Sequence, residues 1–215
     1  MAPTLRVIRA ADCRAMPWKN GGGETTEIAV FPLDAGLDAF EWRVSRARIA
    51  SDGPFSVFAG VDRTLTVLDG AGLRLVIGAG APVDLTPSSA PLSFEADVPT
   101  RAGLLGGAVT DLNVMTRRGS LRHRVTSLRV EAVAALKQRT LSATVLWFCR
   151  AGRARIDALH LASPVEFELG PNDTLLAQAS PAATWRLAVD REAALYLIEI
   201  GGGEPIVVRA TNGDC

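Results

Sequence analysis

Met16-Pro17-Trp18-Lys19-Asn20-Gly21-Gly22-Gly23 sets an aromatic plate, a cation and an amide on a glycine-rich loop. Glycine lets backbone approach a ligand closely, so Trp18, Lys19, Asn20 and Gly21 are candidates for touching a small polar molecule. The same loop also reads as a turn whose tryptophan plugs the mouth of a barrel. In residues 40–49, Phe40, Trp42 and Val44 alternate with Glu41, Arg43 and Ser45, after which Ala47 and Ile49 take over as the apolar positions. That switch of face predicts a bulge near Ser45-Arg46, and it leaves Arg43 and Ser45 in a row that continues into Ala47 and Ile49. An arginine in such a row is either a buried anion hook or an edge residue reaching solvent. In residues 111–118, Leu112 and Val114 take one face while Asp111, Asn113, Met115 and Arg117 take the other. On an open sheet this second face is simply solvated; inside a closed barrel it offers an acceptor, an amide and a guanidinium fork suited to a carboxylate.

Other chemistries lack their residues. Metal-binding cupins use a His-x-His pair, a glutamate and a further histidine, whereas this chain has two isolated histidines, His123 and His160. Each reads as an ordinary surface or turn residue. Asp62-Arg63 stands where metal ligands would be needed, and an arginine there repels a cation, so neither metal nor cofactor is expected. Ser45, Ser56 and Ser120 lack a nucleophile elbow, and neither Cys13 nor Cys149 has a neighbouring histidine. Gly21-Gly22-Gly23 leads into Glu24-Thr25-Thr26-Glu27 and a strand, which excludes a phosphate loop. The five arginines in residues 117–129 lack interleaved aromatics and read as a solvated strand and linker.

The elements that position these residues are strands. Helical periodicity is confined to a short alanine-rich stretch at residues 131–138, which reads as a turn or two of helix or a loop. Strands are predicted at residues 25–31, 40–49, 64–68, 72–77, 112–117, 144–149, 154–158, 165–169, 174–178 and 195–200, separated by Gly, Pro and Asp. TLTVLDGAGLRLVIG and TVLWFCRAGRARIDA both read strand, glycine turn, strand, which points to a duplicated unit with a seam at residues 118–125. The tight turn Gly170-Pro171-Asn172-Asp173 introduces a further strand, with Asp173 placed to accept hydrogen bonds from backbone amides. An all-β architecture of two cupin-like halves is therefore expected, residues 1–120 and 121–215, either separate or intertwined as one compact unit.

Charge and cysteine content bound the partners. Twenty-three basic residues balance twenty-three acidic ones, so no global field recruits nucleic acid or an anionic membrane. The N-terminus lacks a long apolar run and the three cysteines form no CxxC pair, which predicts a reducing, cytoplasmic setting.

PWKNGGGETTEI, FEWRVSRARIASDGPFSVFAGVDRTLTVLDGAGLRL and TDLNVMTRRG resemble, in order and spacing, the hallmark segments of the HutD/Ves family, over about residues 14–120. The resemblance implies a bicupin without established enzymatic activity, associated with bacterial histidine utilisation or stress response. In the histidine-utilisation members it implies a regulatory or accessory role through a pathway intermediate such as formylglutamate. It carries a ligand-binding set of Trp18, Lys19, Asn20, Gly21, Arg43, Ser45, Asp62, Arg63, Asn113, Met115 and Arg117. The leading expectation is a metal-free module for a small carboxylate. Its rival is a metal-independent isomerase or hydrolase using Asp62, Glu24 or Lys19 as acid or base. A third reading is a structural protein whose paired sheets build a homodimer.

Overall fold

The computed structural model describes residues 4–18, 21–131, 136–159, 161, 165–178 and 182–202. Among the described residues the architecture is all-β, with one short 3-10 turn at Ala10–Asp12 and four antiparallel sheets. The first sheet runs β2 (Ala15–Pro17), β3 (Gly23–Phe31), β4 (Trp42–Ile49), β11 (Val109–Arg117), β6 (Val61–Asp69) and β9 (Leu92–Glu95). Facing it are β5 (Gly53–Pro54), β10 (Thr100–Leu104), β7 (Leu73–Ile77) and β8 (Val83–Leu85). The second half begins with β1 (Thr4–Ile8), β17 (Thr174–Gln178), β14 (Thr144–Ala151), β19 (Ala193–Gly201) and β12 (Arg122–Val130). Opposite lie β13 (Leu136–Thr140), β18 (Ala183–Ala188), β15 (Ala154–Ala158) and β16 (Val165–Leu169). Strand order β4-β11-β6-β9 recurs as β12-β19-β14-β17, and β5-β10-β7-β8 recurs as β13-β18-β15-β16. One unit has been laid down twice.

Apolar clusters within and between the barrels hold the sheets together. Ile49, Leu65, Val67, Leu73, Leu75 and Ala102 close the first barrel. Trp147, Leu175, Leu195, Ile156, Trp185 and Leu187 close the second. Between the barrels, Trp42, Val44, Leu112 and Val114 pack against Leu146, Phe148, Tyr196 and Ile198. The central sheets are thus buried on both faces, which explains why β4 carries apolar residues at both parities. No register shift interrupts its pairing with β11, from Val109↔Ile49 to Thr116↔Trp42. The bulge expected near Ser45-Arg46 falls instead on β3, between Glu27 and Ala29. Its apparent signal in β4 was a strand with two different interiors.

Polar pins cross the central layer. The Tyr196 hydroxyl meets Thr66 Oγ1 at 3.0 Å. His123 corrects the surface-or-turn expectation: its ring joins Thr116 Oγ1 and Thr64 Oγ1, each at 2.8 Å. Burial, opposed by Asp62, pushes this imidazole down to about 4, so it is neutral at physiological pH. His160 and residues 132–135 of the alanine-rich stretch lie outside the described residues, while residues 136–138 belong to β13 rather than to helix or loop. At the other end, β1 joins the second barrel's sheet along β17. Asp173 ties that crossing segment down, accepting from the Ala10 amide at 2.9 Å and from Arg9 Nη1 at 2.8 Å. It also accepts from the Gly170 amide at 3.0 Å, with Asn172 at a φ of 66° completing the turn.

Candidate functional site

Alternation on three neighbouring central strands aims a polar set into the first barrel. Register places Ser45 beside Asn113 and Arg43 beside Met115 on one side of β11. On its other side stand Leu65 beside Asn113 and Arg63 beside Met115. Glu27 lies across from Ser45 on β3. The bulge after Glu27 lets this carboxylate and Val30 share the interior face. Arg43 Nε donates to Glu27 Oε2 at 2.7 Å and Arg43 Nη1 to Ser45 Oγ at 3.3 Å. Asn113 Nδ2 donates to Asp111 Oδ1 at 2.7 Å.

Arg63 is the most unusual member. Only 5% of it is exposed, and its guanidinium lies 5.4, 5.2 and 5.9 Å from the ring centres of Phe55, Phe58 and Phe94. Cation–π attraction of this kind partly replaces lost hydration. Its hydrogen bonds are weak: Nη2 reaches Ser56 O at 3.4 Å and Met115 Sδ at 3.6 Å, and Nε is buried without a partner. Burial, opposed by Asp111 and reinforced by Arg43, brings this group down to about 10, leaving it cationic at neutral pH. Asp111 is its electrostatic counterpart, with Oδ2 likewise buried and unpartnered. Desolvation pushes the Asp111 carboxyl up to about 7, against the pull of Arg63, the Ala47 amide and Asn113. A buried donor and a buried acceptor therefore stand unsatisfied within one charged cluster, an arrangement that costs stability unless something completes it.

The other sequence-derived candidates divide. Trp18 packs against the first barrel's core and donates its indole N–H to Thr25 Oγ1 at 2.8 Å. Gly21, at a φ of 70°, closes the turn by donating to Trp18 O at 3.0 Å. Lys19 and Asn20 lie outside the described residues. Arg117 does not line the interior cluster as expected. It donates to the carbonyls of Phe40 and Ala59, each at 3.0 Å, and of Asp38, and stacks on Phe40, so it fastens two loops. Asp62 also turns away, because odd and even positions of β6 face opposite sides, and it pairs with Arg118 at 2.7 Å. The three phenyl rings around Arg63 and the pairing role of Glu27 were missed, since they converge from separate strands and loops. Among the described residues, no group of three or more His, Cys, Asp or Glu could hold a metal ion. A concavity on the second half, lined by Arg153, Arg155, Glu168 and Asp190, carries exposed ion pairs and is remote from this cluster.

The family model for HutD matches residues 10–197. The chain belongs to the HutD family. It is 44% identical over 111 residues to an uncharacterized 21.2 kDa protein from the hutC 3' region of Pseudomonas putida, covering 52% of this chain and 57% of that one. It is 41% identical over 118 residues to protein Ves of Cronobacter sakazakii, covering 53% of this chain and 63% of that one. The matched stretch thus spans about three-fifths of these curated relatives. Solved structures extend the likeness. A conserved protein of unknown function from Pseudomonas aeruginosa PAO1 superposes with a TM-score of 0.84 at 34% identity, over 93% of this chain and all of that one. HutD from Pseudomonas fluorescens SBW25, in a formate condition, gives 0.78 at 30% identity, over 94% of this chain and 100% of that one. An oxalate decarboxylase mutant from Bacillus subtilis gives 0.66 at 10% identity, over 93% of this chain and 78% of that one. That last likeness shows the fold alone: the HutD chain is a bicupin.

Proposed function

We propose that this HutD-family protein binds a small carboxylate inside its first barrel, as an accessory or regulatory component of histidine utilisation rather than as a catalyst. The observation that carries the reading is Arg63, buried beneath three phenyl rings with its Nε unpartnered, one strand away from buried Asp111. A planar guanidinium presents parallel donors that match a carboxylate, and in a dry site such bonds are stronger than at a surface. Arg43, held in place by Glu27 and Ser45, adds a second cation to the same wall. Trp18 lies against the same core. A formylglutamate-like ligand is favoured by the relative from the hutC 3' region and by the formate condition of the Pseudomonas fluorescens HutD structure.

A thermal-shift screen of urocanate, formiminoglutamate, formylglutamate, glutamate and formate tests this. At about a hundred times its dissociation constant a true ligand stabilises the fold by about 2.7 kcal/mol. The carboxylate should outperform its neutral amide, and Arg63→Met should abolish the shift while leaving a cooperative melt. A set of five inert carboxylates, or an Arg63→Met protein that responds like the parent, would remove the proposal.

A further inference from the structure

We propose that Asp111 enters the carboxylate complex as a neutral acid, so that the anion and one proton are taken up together. The inference rests on the binding reading above and adds what that reading leaves open, namely how an anion settles beside a second carboxylate. Asp111 is 1% exposed and ends the interior polar row of β11, paired with Ala47 on β4 and Val67 on β6. Oδ1 is taken by Asn113, whereas Oδ2 is buried and has no partner.

Among the described residues, the charged groups of this interior are few. From β6 comes Arg63, from β4 Arg43, and from β3 Glu27, which is bonded to Arg43 at 2.7 Å. The facing sheet contributes Leu73, Leu75 and Ala102 to this core, all apolar. With Asp111 ionised, Arg43 and Arg63 are matched by Glu27 and Asp111, and an entering anion would add an unbalanced negative charge in a desolvated place. With Asp111 protonated, one positive charge is left for the ligand and Oδ2–H becomes a second donor on the same interior face as Arg63 Nε. Both unpartnered atoms are then free to donate to ligand oxygens. The folded carboxyl, pushed up by burial to about 7, lies where this proton can be gained near neutrality.

The sign follows from linkage. Below pH 7 Asp111 already holds its proton, so affinity is flat and binding moves no proton. Above pH 7 the proton must be recruited, and the apparent dissociation constant rises about tenfold per pH unit. Calorimetric titration of the full chain with formate, acetate and N-formylglutamate, at pH 6 to 8.5 in two buffers of different ionisation enthalpy, reads both quantities. The expected result is proton uptake near zero at pH 6, approaching one at pH 8.5, with affinity about thirty-fold weaker at pH 8.5 than at pH 6. Asp111→Asn should bind with a pH-independent constant; if it does not fold, the proton count in the parent protein decides. Binding without proton uptake at every pH, or an Asp111→Asn protein that keeps the slope, overturns the role of Asp111 and leaves the carboxylate site standing. No binding by any of the three probes overturns both.

Discussion

The two barrels share one strand plan and differ in what they bury. Aligned on their bulges, Asp111 and Asn113 of β11 correspond to Leu195 and Leu197 of β19. Leu65 corresponds to Trp147 and Arg63 to Val145 on the neighbouring strands. The second barrel is filled by Trp147 and Trp185, packed edge to face with ring centres 6.0 Å apart. Its charged remnant is Glu199, whose carboxyl burial pushes up and Arg124 pulls down. Arg124 stands where the first barrel has Arg43. The comparison teaches that the fold does not require the Arg63–Asp111 pair, since the second barrel builds the same strands with Leu195, Leu197 and Val145 at the places of Asp111, Asn113 and Arg63. Burying Arg63 and Asp111 is a cost particular to the first barrel, which is where function is to be sought.

Mutations should separate the halves accordingly. Trp147→Ala removes a fully buried indole and should destabilise by about 3–5 kcal/mol in denaturant titration, with ligand affinity of the folded fraction unchanged. A loss of affinity matching the loss of stability would mean the second barrel shapes the site. Next in size is the pin between the halves. His123 is ordinarily protonated near 6.5 but held near 4 here, so its contribution is complete above pH 6.5 and fades as pH falls toward 4. Up to about 3 kcal/mol should be lost across that window, and His123→Gln should show a flatter profile there. A His123→Gln profile as steep as the parent's would remove this role. Asp173→Ala, which releases Arg9, Ala10 and Gly170, should cost about 2 kcal/mol and leave binding intact. Abolished binding in a stable Asp173→Ala protein would extend the site into the second half.

Much of this was legible in the sequence, for identifiable reasons. Ala154–Ala158, Val165–Leu169 and Thr174–Gln178 are bounded by turn residues, and their limits could be read directly. Edge strands were missed: Arg122–Val130 reads as polar because one of its sides has no strand neighbour. The polar row on Asp111, Asn113 and Met115 was visible as alternation, since period two holds through a barrel wall. What alternation could not show is which arginine is free for a ligand. Arg117 is engaged by carbonyls from as far back as Asp38, and Arg63 is boxed by rings from the loop before β6 and from β9. Those contacts exist only after the chain has closed. His123 likewise looks unremarkable until Thr64 and Thr116 arrive on either side of its ring.

The most direct test of the difference between the barrels is a crystal structure of the protein soaked in formate or formylglutamate. Carboxylate density within hydrogen-bonding distance of Arg63 Nε and Asp111 Oδ2, with none beside Trp147, is the result expected here. An unchanged first barrel at saturating ligand, or a carboxylate lodged only in the second, would contradict the assignment of function to the half that buries its charges.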